Sequence, residues 1–288
     1  MKRWFYTIAW VLLLIFLLVF MPVDSVGSSV RIDRPGVSSP VKKLPWASNE
    51  EFLRTQREQD TPVLMAAYCV VFQSSSAGER ANVRRAADSI AGTVIGPEET
   101  FSQNEIIGPY DENNGYKIGQ SYVGSKITTT VGGGVCKIAT ALYNVAVVSN
   151  LEIVERYNHF MPVSYVPLGQ DATVVYGSKD LKFKNNLDFP LLVWAEGRGE
   201  RLYLALYGKR LPPGVRWRHK VLYKIPAPVV YEPNPNLPQG EERVLIAGME
   251  GVAVETRVII THFDGETQTK DLGTSQYWPM PQVIEINE

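Results

Sequence analysis

Residues 131–146 read VGGGVCKIATALYNVA, with three glycines set directly before a cysteine that opens an apolar run. Glycine weakens regular structure by roughly 1 kcal/mol relative to alanine, so a triplet at a helix entrance implies unusual backbone angles or the close approach of another group. Behind it Val135, Ile138, Leu142, Val145 and Ala146 recur at helical spacing on one face, while Cys136, Thr140 and Tyr143 share an adjacent one. The pattern predicts a helix that buries one side and shows the cysteine on another.

Outward from this helix the chain alternates between strand and turn signals. Towards the N-terminus, VLMAAYCVVF (63–72) reads as a strand, and SSAGERANVRRAADSIAG as a helix, with Val83, Ala86, Ala87 and Ile90 on one face and Gly92 as its stop. GPEETFSQNEIIGPYDENNGY (96–116) is punctuated by Gly, Pro and Asn and predicts loops and short strands. Past Asn150, the segments LEIVERY, MPVSYVPLG, ATVVYG, LKFKNN, PLLVWAEG and RLYLALYG read as strands. KRLPPGVRW breaks the pattern, and PAPVVYEPNPNLPQG is proline-rich enough for a stiff connector. Beyond Gly240 a further strand set turns at Asp264-Gly265.

The fold class expected is α+β, a mostly antiparallel β domain with a helix carrying the cysteine, plus a small all-β C-terminal module. The boundaries fall at 1–23 for an N-terminal anchor or signal, 24–50 for a linker and 51–210 for the main domain. A connector at 211–239 and the C-terminal core at 240–288 follow, the module starting as early as about 220.

Composition narrows the function classes. The 288 residues carry 29 basic and 30 acidic side chains, a net charge of −1, which gives no electrostatic footprint for nucleic acid. Two cysteines and three histidines build neither a disulfide framework nor a zinc ribbon, so no metal and no cofactor is expected. Trp4–Val23 is an almost unbroken apolar run behind Lys2 and Arg3, long enough to span a bilayer. The positive-inside bias then places everything after it outside the cytoplasm. A cleaved signal peptide, ending near Ser25, Gly27 and Ser28, is the alternative and delivers the same exported body.

Cys136 is the candidate nucleophile. A thiol in the first turn of a helix meets the positive end of the macrodipole, which favours thiolate. Backbone N–H groups of Gly132, Gly133 and Gly134 are candidates for holding an oxyanion, and Lys137, Thr140 and Tyr143 for touching substrate. The triplet lacks the Gly-Lys-Ser/Thr ending of a phosphate loop. The bland alternative is a cysteine buried as a small hydrophobe, which is the reading for Cys69 within its apolar strand. A cysteine nucleophile needs a base, and His159, in ERYNHFMPVSYVPLGQDATV directly after the helix, is the best placed. Asp171 either orients that imidazole as a third member or caps a turn. His219 and His262 lie in the connector and the terminal module and are not site candidates.

RANVRRAADSIAGTVIGPEETFSQNEIIGPY, GGGVCKIATALYN, ERYNHFMPVSYVPLGQDATV, LKFKNN and LYLALYG together resemble a VanW domain over about residues 80–210. GEERVLIAGMEGVAVETRVIITHFDGETQTK and SQYWPMPQVI are similar to a G-five module over about 220–287. The resemblance implies a bacterial envelope protein on the extracytoplasmic face, of a family named through glycopeptide resistance. Some VanW-domain proteins are regarded as L,D-transpeptidases that use a cysteine to form 3-3 peptidoglycan cross-links. Carried onto this chain, the nucleophile falls on Cys136, and His159 matches the family histidine. Lys137 stands where the pattern has glutamine, a departure that bears on side-chain recognition. The implied partners are peptidoglycan stem peptides and glycan, with the cytoplasmic membrane reached through the N-terminal segment and no nucleic acid. With water as acceptor the same site is a carboxypeptidase; the alternative class is a non-catalytic peptidoglycan- or glycan-binding envelope protein.

Overall fold

Along VLMAAYCVVF the side chains alternate between two apolar clusters. Tyr68, Val70 and Phe72 enter one, while Ala67, Cys69 and Val71 enter the other, as the two-residue period of a strand with both faces covered requires. The computed structural model describes residues 38–287 apart from 74, 124 and 125. The expected anchor at 1–23 and most of the linker lie outside the described residues. Among those described, no helix is long and apolar enough to cross a membrane.

In chain order the first half contains β1 (Ser39–Pro40), α1 (Glu50–Glu58), β2 (Val63–Val71), α2 (Ala77–Ile90), β3 (Val94–Ile95), β4 (Thr100–Ser102) and α3 (Gln103–Ile107). The hairpin of β5 (Ile118–Val123) and β6 (Lys126–Val131) then leads into α4 (Cys136–Val148). After α4 come β7 (Glu152–Glu155), β8 (Lys182–Lys184), β9 (Leu191–Arg198) and β10 (Arg201–Gly208). The central antiparallel sheet runs β1-β2-β10-β9-β3, and a smaller one runs β4-β8-β7. One face of the central sheet is covered by α2 and α4. On the other face lie Trp46 and, from α1, Phe52, among Leu192, Trp194 and Tyr207. Cys69 belongs to this second cluster and Cys136 packs against the first, so the sheet separates the two thiols.

The helix α2 begins at Ser76, whose hydroxyl accepts from the Glu79 N–H, and Gly92 just beyond its end takes a left-handed φ of 87°. The expectation for α4 needs correction. Lys137 through Val147 are all buried, so this is an enclosed helix rather than a one-sided one. Its off-face polar groups are bonded inside: the Asn144 amide nitrogen donates to the Thr140 and Gln170 carbonyls, and Thr140 bonds both backbone groups of Ala172. Three local expectations also differ: ATVVYG (172–177) makes only isolated bridges at Thr173 and Val175 rather than a strand. Residues 103–107 are helical rather than loop, and MPVSYVPLG (161–169) forms no strand, since Pro162 and Pro167 cannot donate to a ladder.

The segment expected as a connector is folded. Residues 214–225 form the long strand β11 (Gly214–Ile225), and β12 (Val229–Pro233) follows. Both find partners further along the chain, which a proline count does not reveal. With β13 (Glu242–Ile246), β14 (Gly251–Thr261), β15 (Thr267–Tyr277) and β16 (Gln282–Ile286) they make two sheets, β11-β14-β15 and β12-β16-β13. The pair β12 and β16 is parallel and the others are antiparallel. The turn at Asp264-Gly265 is the hairpin between β14 and β15, with Gly265 at a φ of 88°. The molecule is thus mostly antiparallel β with a few helices and an all-β C-terminal region, as its fold class was expected to be.

Candidate active site

The glycine triplet shapes the entrance to α4. Gly132 and Gly134 hold φ of 79° and 108°, left-handed values that side chains resist, and a Cβ on Gly133 would stand 2.2 Å from the Gly119 carbonyl oxygen on β5. Asn82 of α2, wholly buried, pins this loop. Its amide donates to the carbonyls of Lys117 (2.7 Å) and Gly133 (2.9 Å), and its oxygen accepts from the Lys117 N–H (2.7 Å). Cys136 is thereby fixed, half-buried, at the first position of α4.

Of the three glycine N–H groups expected to hold an oxyanion, two are already engaged. Gly132 donates to the Lys117 carbonyl and Gly133 to that of Thr130. Among the described residues, the N–H groups of Gly134 and Cys136 have no such bond, whereas those of Val135 and Lys137 between and after them do. The available donors are therefore the N–H groups of Gly134 and of Cys136 itself.

The irregular chain after β7 returns His159 and Asp171 to the thiol. Asp171 Oδ2 accepts from both the His159 backbone N–H and its ring Nδ1, each at 2.7 Å. The ring interacts electrostatically with the Cys136 thiol and faces the Tyr165 hydroxyl, 3.4 Å from Nε2. The Thr173 hydroxyl lies 3.3 Å from Sγ, and the Val174 carbonyl oxygen 3.7 Å. Burial alone would raise the thiol, but the His159 hydrogen bond and charge, with Thr173, bring Cys136 down from 9.0 to about 7. Burial alone would lower the imidazole, but Asp171 and the Cys136 sulfur together raise His159 to about 9. Burial likewise works against the Asp171 carboxylate, yet His159 and Arg156 hold it at about 2. The three side chains are arranged as a thiolate, an imidazolium and a carboxylate.

Asp171 does not cap a turn. Its second oxygen accepts from Arg156 Nη2 at 3.0 Å and from the Tyr277 hydroxyl. Two residues expected to touch substrate do something else. Thr140 is fully enclosed, bonded to Ala172, and Tyr143 lies beneath the Arg156 guanidinium with its ring edge against Trp217. Both sit one or two turns inside a helix covered on every side. Lys137 borders the cavity, but its ammonium is directed into the interior, paired with Glu79 and lying over the rings of Phe72 and Tyr165. His219 sits apart, its Nε2 accepting from the Gln170 amide at 2.9 Å.

Sγ and the His159 ring open onto a cavity of about 520 Å³, bordered also by Tyr110, Tyr165, Thr173 and Tyr176. That size suits a peptide-like ligand. Asn82, Arg156, Thr173 and Tyr277 were not legible as site residues. Arg156 and Thr173 stand within the quoted ERYNHFMPVSYVPLGQDATV, where a cation three residues before the histidine was the available signal. Tyr277 comes from β15, more than a hundred positions from its partner, and carries no local mark.

A family model described as VanW like protein matches residues 78–207, and one described as G5 domain matches residues 218–287. The uncharacterized protein YoaR of Bacillus subtilis (strain 168) is 37% identical over 140 residues, 49% of this chain and 46% of its own length. The vancomycin B-type resistance protein VanW of Enterococcus faecalis (strain ATCC 700802 / V583) is 31% identical over 149 residues, 50% of this chain and 52% of its own. The matched part thus spans about half the length of these curated relatives. Among solved structures, the G5 domain of IgA1 protease is 27% identical, covers 26% of this chain and 92% of its own, and has a TM-score of 0.18. HP0197-G5 is 18% identical, covers 25% and 93%, and has a TM-score of 0.16. The chain accordingly joins a VanW-like domain to a G5 domain, both of them domain types of the cell envelope.

Proposed function

We propose that this protein is a cysteine acyltransferase of the bacterial cell wall, acting on peptidoglycan stem peptides. The observation that carries the proposal is that Cys136 and His159, the latter hydrogen-bonded to Asp171, border one cavity together with Gly134, and that the N–H groups of Gly134 and Cys136 are unengaged among the described residues. The Cys136 thiolate attacks the carbonyl carbon between a diamino acid and D-alanine, and the N–H groups of Gly134 and Cys136 receive the developing oxyanion. As the C–N bond breaks, the His159 imidazolium gives its proton to the leaving nitrogen, and D-alanine departs from a thioester. An amine of a second stem then attacks the thioester and loses its proton to His159. The thiolate leaves, and the product is a 3-3 cross-link. With water as acceptor the same steps trim the stem as a carboxypeptidase would. A wall substrate is supported by the two domain types and by the vancomycin-resistance name of one relative. The N-terminal apolar run would hold the enzyme at the membrane, and the G5 domain would bind wall glycan.

The test incubates the protein with disaccharide tetrapeptides and follows cross-linked products and D-alanine loss by mass. Cys136→Ala and His159→Ala are each expected to abolish both. The double variant should be little worse than either single one, because the two residues serve one proton-coupled step. Cys69→Ala, across the sheet, is expected to be silent. Full activity in Cys136→Ala overturns the proposal. An unalkylatable Cys136 together with no activity transfers the case to a non-catalytic wall-binding protein.

A further inference from the structure

The chain on either side of the His159–Asp171 pair is held by one short stretch of the G5 domain, the end of β15 and the residue after it. Asn158 donates to the Gln276 carbonyl at 2.8 Å, and the Phe160 carbonyl accepts from the Trp278 N–H at 2.7 Å. Between these two ties, one from the Asn158 side chain and one from backbone to backbone, stands His159. At the other end of the loop the Gly169 N–H donates to the Tyr277 hydroxyl at 2.8 Å, and that hydroxyl in turn donates to Asp171 Oδ1. Arg156, the other donor to Oδ1, is itself fixed by a hydrogen bond from Nη1 to the Ser275 hydroxyl at 2.8 Å. Tyr277, Ser275 and Asp171 are each 1% exposed, so water does not replace these partners.

We propose that the G5 domain is a working part of the relay rather than an appended wall anchor, with Tyr277 and Ser275 as positioning residues that hold Asp171 against His159. This rests on the acyltransfer reading of the site. Oδ2 faces His159 alone, through two bonds, because Oδ1 is held on the opposite side by Tyr277 and Arg156. The charged and titratable groups around the pair are Arg156, Tyr277 and Tyr143 on the Asp171 side and Cys136 and Tyr165 on the His159 side. With the Tyr277 hydroxyl removed, the carboxylate keeps one anchor on Oδ1 and can turn away from the imidazole. The imidazolium is then held less firmly, and the thiol beside it ionises less readily.

The experiment uses the full chain carrying Tyr277→Phe, which keeps the ring. Alkylation of Cys136 by iodoacetamide is followed by mass across pH, beside the cross-linking assay. The alkylation midpoint is expected to move up from about 7 towards that of an ordinary thiol. Cross-linking should slow about tenfold, the factor a hydrogen bond to a charged group carries. Tyr231→Phe, exposed on β12, is expected to change neither. An unchanged or lowered midpoint in folded Tyr277→Phe overturns the inference. Should that variant fail to fold, Ser275→Ala is expected to move the midpoint in the same direction by less, and no movement there overturns it equally. Alkylation requires no substrate, so the two proposals fail separately. A wild-type protein whose midpoint responds to Tyr277→Phe but which never cross-links overturns acyl transfer alone.

Discussion

At Cys136 and His159 a proton has in effect already moved. The folded state holds the histidine protonated up to about 9 and the thiol deprotonated above about 7, whereas the ordinary values are 6.5 and 9.0. The raised histidine contributes stability that is full below 6.5 and is lost as pH rises through about 9. The depressed thiol contributes stability that is full above 9.0 and is lost as pH falls through about 7. Between about 7 and about 9 the two terms have opposite slopes, because folded and unfolded chains each bind one proton on the pair. The urea midpoint of the wild-type protein is therefore expected to be flat across that window as far as this pair is concerned. In Cys136→Ala only the histidine term remains, raised by Asp171 without the thiolate, so its midpoint should fall as pH rises above 6.5 and level off before about 9. Parallel curves for the two proteins would contradict the ion pair. At acid pH the direction is set by Asp171, whose stabilising contribution is lost as pH falls from 3.8 through about 2.

Between elements, the site depends on how α2, the β5–β6 hairpin and α4 meet. Asn82 makes three hydrogen bonds across that junction from a fully buried position. Asn82→Ala leaves the Gly133 carbonyl and the Lys117 N–H without their partner and is expected to cost about 2 kcal/mol in urea unfolding. It should also slow acylation, because the loop presenting the Gly134 and Cys136 N–H groups relaxes. A loss of stability with unchanged acylation would separate Asn82 from the oxyanion site. The glycine triplet was legible because a need for odd backbone angles and close approach leaves its mark in the residue type. The helix of Val83 and Ile90 was legible because periodicity records one buried face, and the strand of Cys69 because a short continuous apolar run marks a strand covered on both faces. Periodicity failed for α4, where every face is buried and small or internally bonded side chains such as Ala139, Ala141 and Asn144 fill the side taken to be exposed. The Cys136 and His159 pairing could be anticipated from the chemistry a thiol requires. The partners of Asp171 could not, since Arg156 and Tyr277 reach it through tertiary contacts.

Over the whole molecule, the two domains share a core. Val258 and Ile260 of β14 belong to the same buried cluster as α4 and the central sheet, with Val215, Trp217 and Leu272 packed against it. Residues expected to belong to a stiff, proline-rich connector instead supply β11, whose Trp217 meets Tyr143 of α4. Thermal unfolding is accordingly expected to show one cooperative transition for the VanW-like and G5 domains together. Two resolved calorimetric transitions would show that the shared cluster does not couple them. The Tyr277 bond to Asp171 also bears on descent. Exchanging the G5 domain for an unrelated wall-binding module would keep the cysteine, histidine and aspartate, yet strip Arg156 of Ser275 and Asp171 of Tyr277. Such a recombinant gene would encode a complete signature on a slackened site. Selection should therefore transmit this pair of domains as one heritable unit, with drift at positions 275 and 277 checked by a residue in the other domain.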